Sequence, residues 1–201
     1  IRIWLFLANQ YFAEGSYPKA APWYERVWRN TQASPVDRYA SMTYAARAWR
    51  NSDQTRRAII ADMAGITEFP EYADAYIGMC ENFIRLKQWA KGIAMGETAM
   101  GKERPPSMMF INELDYTWRV QNDLAICYAG NGQVDLAVKA AEAALSFRPG
   151  EAEGEHNLAL YKQRLEKEKV LDALASTSLN GTAVKMALSL PPDMRNERKA
   201  R

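Results

Sequence analysis

The chain has 201 residues, of which 48% are hydrophobic and 25% charged, with a formal net charge of +2. It is long enough to bury a substantial core, and too nearly neutral to hold a polyanion by its field, so nucleic acid is not an expected partner. No apolar run approaches the roughly 18 to 20 residues needed to cross a bilayer, so a soluble, cytoplasmic chain without membrane partners is the expectation.

The opening run Ile1-Arg2-Ile3-Trp4-Leu5-Phe6-Leu7 is too short and too aromatic for a signal peptide, and reads as the start of a helix within a longer polypeptide. There Trp4, Leu7, Ala8 and Tyr11 recur at helical steps and predict one apolar face. After Glu14-Gly15-Ser16, a second helix offers Ala20, Tyr24 and Val27. Pro22 inside it removes a backbone hydrogen bond, which predicts a kink or a late start.

The pattern then repeats. Met42, Ala45, Ala46 and Trp49 precede the turn Asn51-Ser52-Asp53, followed by Ala58 and a close at Pro70. In this copy Asp62 and Gly65 stand where an aromatic and an alanine are usual, so its pair is expected to pack least well. A third copy, 34 residues on, gives Tyr76, Met79, Cys80 and Phe83, then Gly92 and Ala99. The fourth gives Leu124, Ala125 and Tyr128, the turn Gly130-Asn131-Gly132, then Ala137, Ala141 and Ala144, with a close at Pro149.

Between copies three and four the spacing swells to 45 residues, and the surplus falls over residues 102–113. An insertion that leaves its neighbours in register is expected to project as a loop. Met108, Met109 and Phe110 at its tip are more apolar than solvent requires, so they are expected to pack on this chain's own helices or on a partner.

Residues 151–170 carry Leu158, Ala159, Tyr161 and Leu165 among charges, as a capping helix would. Beyond Ser176 come a short helix near residues 182–188, Pro191-Pro192, and a polar tail over residues 195–201 that reads as a linker.

The residue types have a physical reason. Ala8, Ala46, Cys80 and Ala125 in the first helices, with Ala20, Ala58, Gly92 and Ala137 in the second, let paired helices approach and interlock. Tyr11, Trp49, Phe83 and Tyr128 fill the groove toward the next pair. A single pair cannot cover its own apolar face, so neighbours must stack. The expected fold is all-α, a right-handed α-solenoid of about four antiparallel helix pairs plus a C-terminal capping helix. Residues 1–172 form the repeat domain and residues 173–201 an extension.

These residues match the tetratricopeptide repeat, and the resemblance covers about residues 3–170. A narrower resemblance lies in Tyr116-Thr117-Trp118-Arg119-Val120-Gln121-Asn122-Asp123-Leu124, which is similar to the stretch opening the last repeat in bacterial and phage glycosyltransferases that carry such repeats. The segment Leu190-Pro191-Pro192-Asp193-Met194-Arg195 resembles the connector that follows those repeats. The resemblance implies a parent enzyme that moves a sugar from a nucleotide-sugar donor, with this part holding the acceptor or arranging domains.

Catalytic motifs are absent from the sequence. There is no Asp-x-Asp motif, no Cys-x-x-Cys, no Gly-rich phosphate loop and no Gly-x-Ser-x-Gly, and no catalytic residue, metal or cofactor is expected. The lone histidine, His156, reads as structural or solvated. Cys80 and Cys127 lie in apolar helical patterns and read as core, with no disulfide framework.

The concave face of such a solenoid is lined by the first helices. Spacing puts Arg2, Asn9, Thr43, Arg47, Arg50, Glu81, Arg85, Arg119, Asn122 and Asp123 on or near it. Arginines there suit carboxylates or phosphates, and amides suit a peptide backbone or sugar hydroxyls, although a merely solvated surface weighs equally. Leu5 lies one turn before Asn9, where repeats that clamp acidic chaperone tails carry lysine, so that partner is disfavoured.

The main expectation is a protein- or acceptor-binding scaffold within a multidomain glycosyltransferase. It would hold a peptide segment, a neighbouring domain of its own polypeptide or a glycan acceptor. A free-standing adaptor or a structural assembly subunit is the alternative.

Overall fold

The computed structural model describes residues 1–104 and 115–177, with side chains to residue 175. The apolar triplet Met108 to Phe110, the segment near residues 182–188, the Leu190 to Arg195 motif and the polar tail lie outside the described residues. Among the described residues there are nine α-helices and no β-strand: α1 (Arg2–Ala13), α2 (Tyr17–Trp28), α3 (Pro35–Arg50), α4 (Thr55–Glu68), α5 (Asp74–Arg85), α6 (Trp89–Met100), α7 (Val120–Gly130), α8 (Val134–Phe147) and α9 (Ala152–Thr177). A single π-helical turn over Asp115–Arg119 runs directly into α7.

Each helix packs mainly on the one before and the one after it, and first helices also touch across pairs, α3 on α5 and α5 on α7. This is the connectivity of a solenoid rather than of helices gathered about one centre. The small residues singled out from the sequence sit where two helices cross, with Ala8, Ala20, Ala46, Ala58, Cys80 and Ala137 all fully buried. Gly92 shows how tight the crossing is, because a Cβ there would stand 2.5 Å from the Cys127 sulfur.

All four pairs turn in the same way. Each first helix ends two residues, or in α3 three, before a left-handed position, occupied in turn by Gly15, Asp53, Lys87 and Gly132. The amide of the following residue reaches back to the carbonyl of Tyr11, Trp49, Phe83 or Tyr128 at 2.8 to 2.9 Å. This is the Schellman arrangement, which satisfies a carbonyl that the helix end leaves open. The bulky residue therefore anchors the turn with its carbonyl, and the side chains of Trp49 and Tyr128 reach back to the preceding pair, donating to Glu25 and Glu97.

The apolar interior is formed in two parts. One gathers Ala8, Ala20, Tyr24, Ala45 and Trp49 of the first two pairs, the other Tyr76, Ile77, Val120, Leu124 and Ala141 of the last two.

Two expectations need correction. α2 starts at Tyr17 and continues through Pro22 to Trp28, so the late start does not occur. Pro22 leaves the Pro18 carbonyl without its amide partner, but burial of Ala20, Ala21, Tyr24 and Val27 holds the helix in place. The second pair is also not loosely packed, since Asp62 is 2% exposed and Gly65 is buried. A Cβ on Gly65 would lie 3.0 Å from that of Ala75, so the missing side chain lets α4 and α5 close up.

The capping helix is longer than the sequence pattern indicates. α9 runs on past residue 172 to Thr177, with Leu158 and Tyr161 against the second apolar cluster and Val170, Leu171 and Leu174 exposed.

Candidate functional site

Helical periodicity brings the inner-face residues of α3, α5 and α7 into one row, and the π turn adds Asp115, Trp118 and Arg119 to it. Their charges alternate and pair. Arg50, 5% exposed, meets Asp62 at 2.5 Å and, through Nε, Glu81 at 2.9 Å. Arg119 bridges Glu81 and, at 3.1 Å, Asp115, and Arg47 closes the far end on Asp115 at 2.6 Å. The Asn82 amide donates to Asp62 at 2.7 Å.

The result is a continuous chain from Asp62 through Arg50, Glu81, Arg119 and Asp115 to Arg47, crossing three helix pairs. Burial pushes the Asp62 carboxyl up to about 7, against the pull of Arg50 and the Asn82 hydrogen bond. Beside this ladder, Asp74 accepts hydrogen bonds from the hydroxyls of Tyr39 and Tyr116, the latter at 2.6 Å. Burial, then the charge of Asp74, raises the pKa of both phenols.

Arginines expected to meet a ligand are thus largely engaged with the chain's own carboxylates. Thr43, Arg47, Arg50, Glu81 and Arg119 border only a shallow depression with room for about 10 Å³. Asn9 stands apart on α1, where it accepts a hydrogen bond from the Tyr24 hydroxyl at 2.7 Å, and Arg2 is exposed on the same helix.

Toward the C-terminal end the inner face opens. A groove of about 630 Å³ is lined by Arg85, Trp118, Asn122, Asp123, Ile126 and Glu153, with Glu81, Asp115 and Arg119 along one side. Three of the sequence-derived residues, Arg85, Asn122 and Asp123, therefore line its open part. Arg85 is half-exposed and holds Asp53 at 3.2 Å.

Asp123 is 8% exposed, and its Oδ2 has no hydrogen-bond partner. Burial first, and then the negative charge of Glu81, raises its pKa to about 8, although Arg119 and Arg50 pull the other way. The Trp118 indole N–H is likewise buried without an acceptor, and the Arg148 guanidinium stacks 4.9 Å from that ring.

Sequence reasoning missed Asp115, Trp118, Ile126 and Glu153 as lining residues. Asp115 and Trp118 belong to the π turn, outside the repeat register, and Glu153 comes from the capping helix. Only the swollen spacing before the fourth copy hinted that an added element enters the groove.

A second depression of about 380 Å³ lies between α1 and α2, walled by Tyr11, Lys19, Pro22, Trp23 and Arg26. Cys80 and Cys127 are buried free thiols with their sulfurs 3.9 Å apart. The hydrogen bond to Cys127, then burial, raises the Cys80 pKa above the usual thiol range. Among the described residues no group of three or more His, Cys, Asp or Glu could hold a metal ion, and no helix is long and apolar enough to cross a membrane.

No protein-family model and no curated protein matches the chain. Solved structures do. The chain is similar to MamA 41-end from Desulfovibrio magneticus RS-1, with a TM-score of 0.67 at 14% identity over 94% of this chain and 96% of that one. A crystal structure of MamA protein gives a TM-score of 0.63 at 16% identity over 81% of this chain and 80% of that one. The NMR structure of the first TPR domain of the human RPAP3 protein gives 0.55 at 14% identity, over 65% of this chain and 94% of that one. At such identities the likeness shows the fold, which is a tetratricopeptide-type solenoid of antiparallel helix pairs.

Proposed function

We propose that this chain is a free-standing interaction scaffold whose C-terminal groove takes an extended segment of a partner protein. One contrast carries the reading. Each carboxylate of the upper inner face, Asp62, Glu81 and Asp115, is met by an arginine, and the unpartnered atoms there are Arg47 Nε and Asn82 Oδ1, whereas the groove beside α7 keeps a buried carboxyl with no cation on it and, next to it, a buried indole N–H without an acceptor. Unsatisfied buried polar groups cost stability, and a ligand that supplies their partners recovers that cost on binding. A rigid ladder behind the groove holds these groups in place before the ligand arrives.

In this reading residues 1–172 are the binding domain and residues 173–201 a C-terminal extension, in a soluble cytoplasmic setting. Arg85, Asn122 and Asp123 are the contact residues carried forward from the sequence. Thr43, Arg47, Arg50, Glu81 and Arg119 shape the inner face, and Asn9 lies away from the groove. The sugar-transferase context rests on two short sequence motifs, one of them outside the described residues, and on the general layout of repeats followed by a connector. An adaptor accounts for the groove without it, and none of the three similar structures named above is described as a sugar transferase.

The test is a selection of displayed random peptides on the full chain, with recovered peptides measured by fluorescence polarisation against Asn122→Ala and Ile126→Ala. Affinity is expected to fall about tenfold, which is 1.4 kcal/mol. Peptides that bind both variants as well as the parent chain overturn the groove as the binding site.

A further inference from the structure

The groove's unpaired groups also indicate the chemistry of its ligand, an inference that rests on the reading just given. Of the four carboxylates around it, Glu81 and Asp115 are each engaged by two arginines. Asp123 and Glu153 form no ion pair among the described residues, although Arg119 stands four positions from Asp123 with both terminal nitrogens committed elsewhere. The Asp123 carboxyl is nine-tenths buried, lines the groove and lacks a hydrogen-bond partner. Arg85, the cation on the same wall, is paired with Asp53.

We propose that this end of the groove is a pocket for a basic side chain, lysine or arginine, of the bound segment. The head group sits on Asp123, the methylene stem lies along Trp118 and Ile126, and Glu153 closes the rim. A cation here makes charge-assisted hydrogen bonds in a partly dry site, roughly twice as strong as neutral ones. An acidic side chain would instead bring like charge against the Glu153 carboxylate and would gain no ion pair from Asp123. The Arg148 guanidinium on the Trp118 ring shows the same chemistry within the chain.

Protonation gives a second signature. The Asp123 carboxyl, held up at about 8, keeps its proton at pH 7 in the free chain. The groups acting on it are Glu81 from α5, Arg50 from α3, and Arg119 and Asp115 from the π turn. An arriving cation favours the carboxylate, so binding at pH 7 releases a proton, and affinity rises as the pH approaches 8.

The full chain, labelled with ¹⁵N, is titrated with Nα-acetyl-arginine amide, Nα-acetyl-lysine amide and the neutral Nα-acetyl-norleucine amide. The Trp118 indole resonance is assigned through Trp118→Phe. Both basic amides are expected to shift that resonance at least about tenfold more tightly than the neutral one, with Asp123→Asn removing the difference. Glu153→Gln, on the exposed rim, is expected to weaken the basic amides alone, and it supplies the same test should Asp123→Asn fail to fold. Equal response to the neutral amide, no response to the basic ones, or a basic preference that survives the Asp123 and Glu153 substitutions each overturns the pocket.

The two readings fail separately. Groove-dependent peptides that lose nothing when their basic residues become norleucine overturn the pocket and leave the peptide groove standing. Basic amides that bind while no groove-dependent peptide is recovered support the pocket and overturn the peptide groove.

Discussion

Along the inner face, the stretch from Arg47 to Arg119 and the stretch from Asn122 to Glu153 are built from the same residue types, yet only in the first is every carboxylate of the ladder met by an arginine, even though Arg47 Nε and Asn82 Oδ1 there are buried without partners. In the ladder every arginine meets a carboxylate, and Arg50, with Asp62, is almost wholly removed from water. In the groove the Asp123 carboxyl, 8% exposed, has no cation on it. The same chemistry serves rigidity where its partners are built in, and on the proposed reading serves recognition where they are left out.

Breaking the ladder at its most buried point has the largest expected effect. Asp62→Ala leaves the Asn82 amide and part of Arg50 buried without partners, and should destabilise the chain by about 3 to 5 kcal/mol in urea unfolding. A change below about 1 kcal/mol would mean that the ladder is not a structural element.

Asp123→Asn acts in the opposite direction. The folded pKa is raised from 3.8 to about 8, so the folded chain keeps a proton that the unfolded chain loses. The stability tied to that proton is complete below about pH 4 and drains away as pH climbs toward 8. The variant should therefore gain on the parent chain as pH rises, and its midpoint should depend less on pH between 4 and 8. Asp62, held up to about 7, contributes a slope of the same sign, so the dependence shrinks without vanishing. An unchanged pH profile removes the buried, unpaired carboxyl from the account.

Gly78→Ala probes the ladder without touching its charges. A Cβ there would lie 2.5 Å from the Asp62 carboxylate and 2.8 Å from Arg50, forcing the pair apart at about 1 to 3 kcal/mol. Arg85→Ala is expected to cost the least, below about 1 kcal/mol by thermal unfolding, because its Asp53 partner is fully exposed to screening. A loss as large as that of Gly78→Ala would place Arg85 in the ladder rather than on the groove wall.

Much of the fold was legible because repetition reports itself. Small residues recurred where helices cross, and the bulky residue of each first helix proved to anchor the turn through its carbonyl. Asp62 was misread for an equally physical reason. A carboxylate at an apolar repeat position looks like a packing fault until Arg50, 12 residues earlier, and Asn82, 20 residues later, are seen to meet it. Pro22 was misread because the rule for an isolated helix ignores the four buried side chains that hold α2 in place.

By itself the sequence determined the helix pairs, their order and their turns, because these follow from local periodicity and residue size. Tertiary structure alone decided which inward arginines are consumed and which carboxyl is left waiting. That depends on contacts such as Arg47 with Asp115, 68 residues apart, and on an irregular turn that enters the groove from outside the repeat. No spacing rule within one helix could show it, since the partners meet only when successive pairs stack.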